Sequence, residues 1–178
     1  MLIDESGFFL NPTVRRSQAP KGQTPVLESF GGHRDKVSAI AALSVSAKAR
    51  RVGLYFATET DRYLSNVEVA DFLVDLLRHL RGKVVVVWDG GPNHKGEPIR
   101  AVLHRYPRLR LERLPAYSPE LNPVEWLWSY LKYGKLANFV PAGVSHLDDV
   151  VLGHLIDSKF QQSLLRQLWK GSDLPFPA

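Results

Sequence analysis

The chain has 178 residues, no cysteine and a net charge of +5, with a sequence pI of about 9.6. That length supports one domain with a real core, and the lack of cysteine excludes a disulfide framework or a thiolate zinc site. No apolar run reaches membrane-spanning length and no signal peptide is recognisable, so neither a membrane nor a secreted class is indicated.

The first half reads as strands. Leu2 to Leu10 reads as a strand interrupted by Gly7, followed by a turn signal at Asn11-Pro12. Arg15 to Glu28 is polar and carries Pro20, Gly22 and Pro25, which predicts a short hairpin or loop. Lys36 to Ser46 and Arg51 to Thr58 read as buried strands, and together these runs predict an antiparallel meander.

The period then changes. Ser65 and Glu68 form a capping-box pattern, and Val69, Phe72, Leu73, Leu76, Leu77 and Leu80 follow at helical spacing up to Gly82. Lys83 to Trp88, with four valines and a Trp, reads as a central strand covered on both faces. Pro98 to Tyr106 predicts a short helix, and Leu109 to Leu114 an edge-like strand alternating Leu with Arg or Glu. Pro123 to Tyr133 predicts a helix, and two amphipathic helices follow at about Ser145 to Asp157 and Lys159 to Lys170. The expected architecture is α/β, a mixed five-stranded sheet with helices on both faces and a helical C-terminal tail. Residues 1–170 are expected to form the domain, and 171–178, with Pro175 and Pro177, an unstructured end.

Charge is uneven. From Arg78 to Arg113 there are nine Lys/Arg against three acids. Such a stretch reads either as a phosphate-binding surface or as the solvated faces of two helices and a strand edge, and charge alone does not choose.

Three acids stand out by position. Asp4 follows the apolar Met1-Leu2-Ile3, and Asp89 follows the valine run and precedes Gly90-Gly91-Pro92. Glu125 ends the proline-punctuated segment Ala116-Tyr117-Ser118-Pro119-Glu120-Leu121-Asn122-Pro123-Val124-Glu125 at the first turn of a helix. Each has a structural reading too. Asn122-Pro123-Val124-Glu125 fits N-cap to N3, where Glu is half of a capping box. Asp89 fits an Asx turn. Asp4 beside Glu5 fits a solvated chain start.

The segment Ala116 to Trp126 resembles the C-terminal signature of mariner-like DDE transposases, in their bacterial insertion-sequence branch. Asp4-Glu5-Ser6-Gly7-Phe8 resembles that family's first-acid motif and Trp88-Asp89-Gly90-Gly91-Pro92-Asn93-His94 its second, in the family's order. The resemblance implies an RNase H-like fold in which Asp4, Asp89 and Glu125 are catalytic and hold two Mg²⁺ ions, with Mn²⁺ as an alternative. Two divalent ions roughly 3.5–4 Å apart can activate a water and neutralise a leaving oxyanion, and hard cations of this kind need few carboxylates. The resemblance also implies DNA strand cleavage and strand transfer, transposon ends and target DNA as partners, and a homodimer on DNA. It further implies a bacterial cytoplasmic, nucleoid-associated location.

His94, Asn93 and Lys95 lie within a few residues of Asp89 and are candidates for DNA contact, although a lone His is more often structural. Arg15, Arg16, Lys21, Arg34 and Lys36 are candidates from charge alone. Trp126 and Trp128 read as base-stacking or core residues, at least one of them core. The chain starts three residues before Asp4, so the reading expects no helix-turn-helix module within it and a separate or upstream DNA-binding half. Three functions stay open: a transposase catalytic domain, a stand-alone RNase H-like nuclease that hydrolyses without joining, and an inactive DNA-binding remnant.

Overall fold

The computed structural model describes residues 1–28, 35–46 and 51–175. Five strands form one sheet: β1 (Leu2–Phe9), β2 (Lys36–Val45), β3 (Val52–Thr60), β4 (Val84–Trp88) and β5 (Leu109–Arg113). Their order is β3-β2-β1-β4-β5. β1, β2 and β3 pair antiparallel as the expected meander, whereas β4 runs parallel to both β1 and β5. The two parallel steps need crossovers, and helices α1 (Asn66–His79) and α2 (Glu97–Arg105) provide them. Helices α3 (Pro123–Tyr130), α4 (Val144–Phe160) and α5 (Gln162–Gly171) follow.

The period-2 alternation of the strands divides the core into two layers. Ile3, Ile40, Val84, Val86 and Trp88 pack against Val69, Leu73 and Leu76 of α1 and Ile99 and Val102 of α2. Leu2, Phe8, Val37, Leu43 and Leu54 face the other way, onto Leu127, Val151, Leu155 and Leu165 of α3, α4 and α5. The mixed sheet with helices on both faces therefore forms as expected. The capping box is made in full, with the Ser65 hydroxyl accepting from Val67 N and Glu68 accepting from the Ser65 amide.

Several expectations are corrected. Gly7 does not interrupt β1, which pairs continuously with β2 from Leu2 to Phe9. Of the hairpin or loop expected over Arg15 to Glu28, the loop is what forms, exposed throughout, with the chain pinned just before it by a bridge from Thr13 to Ala137. β4 is not covered on both faces. Val84, Val86 and Trp88 are buried under α1 and α2, but Val85 is half exposed, because α3, α4 and α5 lie over β1–β3 and stop short of it. After α3 the chain widens into a π turn over Leu131–Lys135, closed by Leu136 N donating to Leu131 O at 2.8 Å. The end of the chain is held further than expected. Gly171 still belongs to α5, Ser172 is buried, and Asp173 N donates to Glu120 O at 3.1 Å. Leu174 packs on the core beyond it. Arg34 and residues 176–178 lie outside the described residues.

Candidate active site

The sheet brings the first two acids level. Leu2 of β1 is in register with Val87 of β4, so two residues further along each parallel strand lie Asp4 and Asp89. Strand alternation then separates Asp4 from Glu5. Asp4 shares the face of Leu2 and Phe8 and points toward α3, where its Oδ2 accepts from Trp128 Nε1 at 2.9 Å. Glu5 turns to the α1–α2 layer, where its Oε1 meets His94 Nε2 at 2.9 Å. The choice between the two neighbours, ambiguous in the sequence, is thus a matter of which face each occupies.

Glu125 comes from the first turn of α3. Asn122 fixes that turn with both ends of a buried amide: Oδ1 accepts from Val124 N at 3.1 Å, and Nδ2 donates to Ile3 O at 3.1 Å. The N-terminus of α3 is thereby bolted to β1 beside Asp4. The capping-box reading of Glu125 fails on geometry. The Asn122 amide that Glu125 would cap already donates to Pro119 O at 2.9 Å, in a 3-10 turn over Pro119–Leu121. The carboxylate is left for another use.

Asp4, Asp89 and Glu125 line one cleft of about 530 Å³, together with Gly90, Gly91 and the segment 114–119. Its rim carries Tyr117, fully exposed and held at φ 57, a backbone region that non-glycine residues seldom occupy. Burial pushes the Asp4 carboxyl up to about 8, with the charges of Glu125, Glu5 and Asp89 adding to the effect and the Trp128 hydrogen bond opposing it. Among the described residues no three acidic or histidine side chains are drawn tightly enough together to hold an ion as they stand. Carboxylates sharing a cleft repel and stay apart unless a cation draws them in. The donor set, oxygen only and electrostatically loaded, fits a hard divalent cation.

His94 is buried beside this cleft, its ring stacked on Trp88 with centroids 4.2 Å apart and planes within 4°. Nδ1 lies 2.7 Å from Asp89 Oδ1 and 3.0 Å from Asp89 O. Burial opposes charge on the ring, but the Glu5 hydrogen bond and the charges of Glu5 and Asp89 outweigh it and hold its pKa above the ordinary value. Asn93 is half-buried in the same 3-10 turn (Pro92–His94), and Lys95 is exposed just after it, its carbonyl held by Asn66 Nδ2 at 3.0 Å.

One residue escaped the sequence reading. Lys132 sits seven positions after Glu125, in the π turn beyond α3, and its ammonium feels both Glu125 and Asp4; burial lowers its pKa while those two charges resist. A lysine shortly after Glu125 was the available signal.

Other candidates are moved away from the cleft. Arg15 is a structural clamp, donating to Tyr133 O at 2.8 Å while Asn138 pairs with its backbone at both N and O. Arg16 and Lys21 are exposed in the irregular segment and do not line the cleft. Lys36 is buried with its ammonium over the Tyr63 ring. The basic stretch is partly neutralised: Arg78 pairs with Asp75, Arg100 with Glu97 and Arg110 with Glu112, while Arg108 donates to the carbonyls of Gly82 and Leu77. Trp128 is core, whereas Trp126 is 45% exposed and lies against Gly171.

Among the described residues no helix is long and apolar enough to cross a membrane. The chain resembles solved structures of Mos1 transposase. It matches the Mos1 paired-end complex with the left transposon end at a TM-score of 0.67 and 18% identity, covering 96% of this chain and 50% of that one. The mariner Mos1 paired-end complex with Mg matches at 0.62 and 20%, covering 96% and 52%. The Mos1 catalytic domain matches at 0.59 and 14%, covering 96% and 74%. At these identities the likeness establishes the fold, which is RNase H-like, and this chain spans about half the length of the full Mos1 chains. No curated protein sequence matches it. The family profile described as DDE superfamily endonuclease matches residues 1–141, which include all three acids of the cleft, and the chain belongs to that family.

Proposed function

We propose that this chain is the catalytic domain of a transposase, which cleaves DNA strands and joins the freed ends to a target. The observation that carries the reading is the convergence of Asp4, Asp89 and Glu125, from three separate segments, on one cleft in a chain of the DDE family. The three carboxylates would hold two Mg²⁺ or Mn²⁺ ions. When bound, such ions supply Lewis-acid activation of the attacking oxygen and neutralise charge on the leaving oxygen.

The chain's own residues do the rest. Trp128 Nε1–H keeps one Asp4 oxygen directed, and Asn122 holds α3 so that Glu125 overhangs β1. Gly90 and Gly91, which also line the cleft, leave room for a phosphodiester backbone to approach. Lys132 and Lys95 would meet phosphates. Hydrolysis and strand transfer are then one chemistry with two nucleophiles, water and a 3′-hydroxyl. In this reading the partners are transposon-end and target DNA, a second copy of the chain on paired ends, and a DNA-binding half encoded upstream or separately. The chain would work in the bacterial cytoplasm, at the nucleoid.

The test is nicking and joining of a labelled duplex by the purified chain in Mg²⁺, Mn²⁺ or EDTA, alongside Asp89→Ala. Metal-dependent nicking that disappears in Asp89→Ala, with joined products, supports the proposal. Nicking without joined products, even when the DNA-binding half is supplied, would make it a nuclease. No product in either metal with that half present would sink the catalytic reading.

A further inference from the structure

Glu5 takes no part in the chemistry proposed above, yet it is tied to the cleft. Its carboxylate, 20% exposed, faces His94 Nε2 at 2.9 Å across the interface between β1 and the turn after β4. The His94 side chain is 3% exposed and stacked on Trp88, so its ring has little freedom. Its other nitrogen lies 2.7 Å from Asp89 Oδ1. Gly91 N donates to the same oxygen at 2.8 Å. A Cβ at Gly91 would come within 2.9 Å of it. Gly91 has φ −52, open to any residue, so what the glycine supplies is space rather than conformational freedom. Two nitrogens thus converge on Oδ1, in space that a Cβ at Gly91 would take. Oδ2 has no protein partner among the described residues, and it belongs to a side chain 62% exposed at the cleft.

We infer that Glu5 and His94 are positioning residues which, with the space left by Gly91, hold Asp89 so that Oδ1 faces the protein and Oδ2 faces the metal side of the cleft. The inference rests on the metal reading above. Groups that bind metals are commonly oriented by outer hydrogen-bond partners, whose loss costs about 10–100-fold in affinity. Here that partner reaches back to β1, the strand that also carries Asp4. Adjacent residues on opposite faces of one strand would therefore set two of the three acids, Asp4 directly and Asp89 through His94. If His94 merely filled space against Trp88, the identity of its hydrogen-bonding atoms would not matter.

The experiment titrates Mn²⁺ alone into the purified chain, without DNA, for wild type, Glu5→Gln, His94→Gln, His94→Asn, Gly91→Ala and the surface control Glu97→Gln. Asparagine at position 94 can place an N–H near the Nδ1 position, whereas glutamine reaches only toward Glu5. The expected result is a loss of about 10–100-fold in Mn²⁺ affinity for Glu5→Gln, His94→Gln and Gly91→Ala, a smaller loss for His94→Asn, and none for Glu97→Gln. Gly91→Ala changes a loop residue outside the Trp88 stack, so it remains informative if the His94 variants unfold. Folded Glu5→Gln and Gly91→Ala proteins that bind Mn²⁺ like wild type would overturn the inference. A metal-free readout separates it from its foundation. In EDTA the imidazole N–H resonances of His94 are expected to move in both Glu5→Gln and Asp89→Asn, and resonances that move in neither would also overturn it. Wild type that binds no Mn²⁺, while those resonances still respond, would count for the positioning contact and against the metal reading alone.

Discussion

Asp4→Asn is expected to stabilise the metal-free protein while removing the proposed DNA nicking. Asn keeps the acceptor that Trp128 Nε1 needs and removes a buried charge surrounded by Glu125, Glu5 and Asp89, the causes that push the Asp4 carboxyl up to about 8. The folded protein therefore holds a proton on Asp4 that the unfolded chain releases near pH 4. Between those values folding binds more protons than unfolding, so stability falls as pH rises from about 4 toward about 8 and is flat beyond. A shift of that size is worth about 6 kcal/mol if nothing relaxes. With Glu125 lining the same open cleft and able to move away from Asp4, about 2 kcal/mol is a realistic remainder. In a domain of this size that moves Tm by about 4–8 °C. The assay is thermal unfolding of both proteins in EDTA at pH 4 and pH 8.5, repeated at pH 8.5 with Mg²⁺. The variant is expected to melt higher than wild type at pH 8.5 but not at pH 4, and Mg²⁺ should raise the wild-type Tm more than the variant's. Equal melting at pH 8.5 in EDTA, or equal stabilisation of both by Mg²⁺, would refute the reasoning.

Other perturbations separate structural from functional contacts. Ser65→Ala removes the N-cap of α1 and should cost about 1 kcal/mol, lowering Tm by about 2–4 °C without changing DNA nicking at a temperature where both proteins are folded. Gln162→Leu strips the side-chain amide that pairs with both the N–H and C=O of Val52 at the start of β3. It should cost about 1–3 kcal/mol, seen as a lower urea midpoint. Lys132→Gln should lower DNA affinity and reduce the slope of log affinity against log salt by about one, read by fluorescence anisotropy. Arg15→Gln, which loses only the clamp to Tyr133, should leave that slope unchanged.

The parts legible in the sequence were those governed by local rules. The capping box at Ser65 and Glu68 and the alternation of Leu109 to Arg113 each form as their pattern predicts. Asp89 draws notice in the sequence because it follows Val84–Val87 and Trp88, where a charge beside an apolar strand is costly unless it is used. What stayed hidden depends on contacts far apart in the chain. Whether Val85 is covered depends on where α4 and α5 end in space. Arg15 and Lys21 are alike in charge, and only the fold shows one guanidinium already engaged with Tyr133. Glu125 looked like half of a capping box because its partner, the Asn122 amide, is taken by Pro119 in a 3-10 turn that carries no periodic signal. Lys132 was missed because its relation to Asp4 runs through the packing of α3 on β1.

The supports of the cleft are unevenly shared, and this suggests how it works. Asn122 is fully satisfied, with one hydrogen bond into β1 and one into its own helix. Trp128, one turn after Glu125, is buried and bonded to Asp4. Asp89 is restrained at one oxygen by Gly91 and His94. The Glu125 carboxylate, by contrast, accepts no hydrogen bond among the described residues, although the charges of Lys132 and Asp4 act on it. If the cleft takes cations as proposed, a scaffold built this way would hold two carboxylates in place before a cation arrives and leave the third to close on it. In that reading, rigid supports under Asp4 and Asp89 would limit the geometries a bound ion could adopt, and a less restrained Glu125 would leave the site able to admit a DNA strand. The burial and neighbouring charges that push the Asp4 carboxyl up would then have a use: a cation would relieve that repulsion, and the metal-free protein would bear the cost in stability.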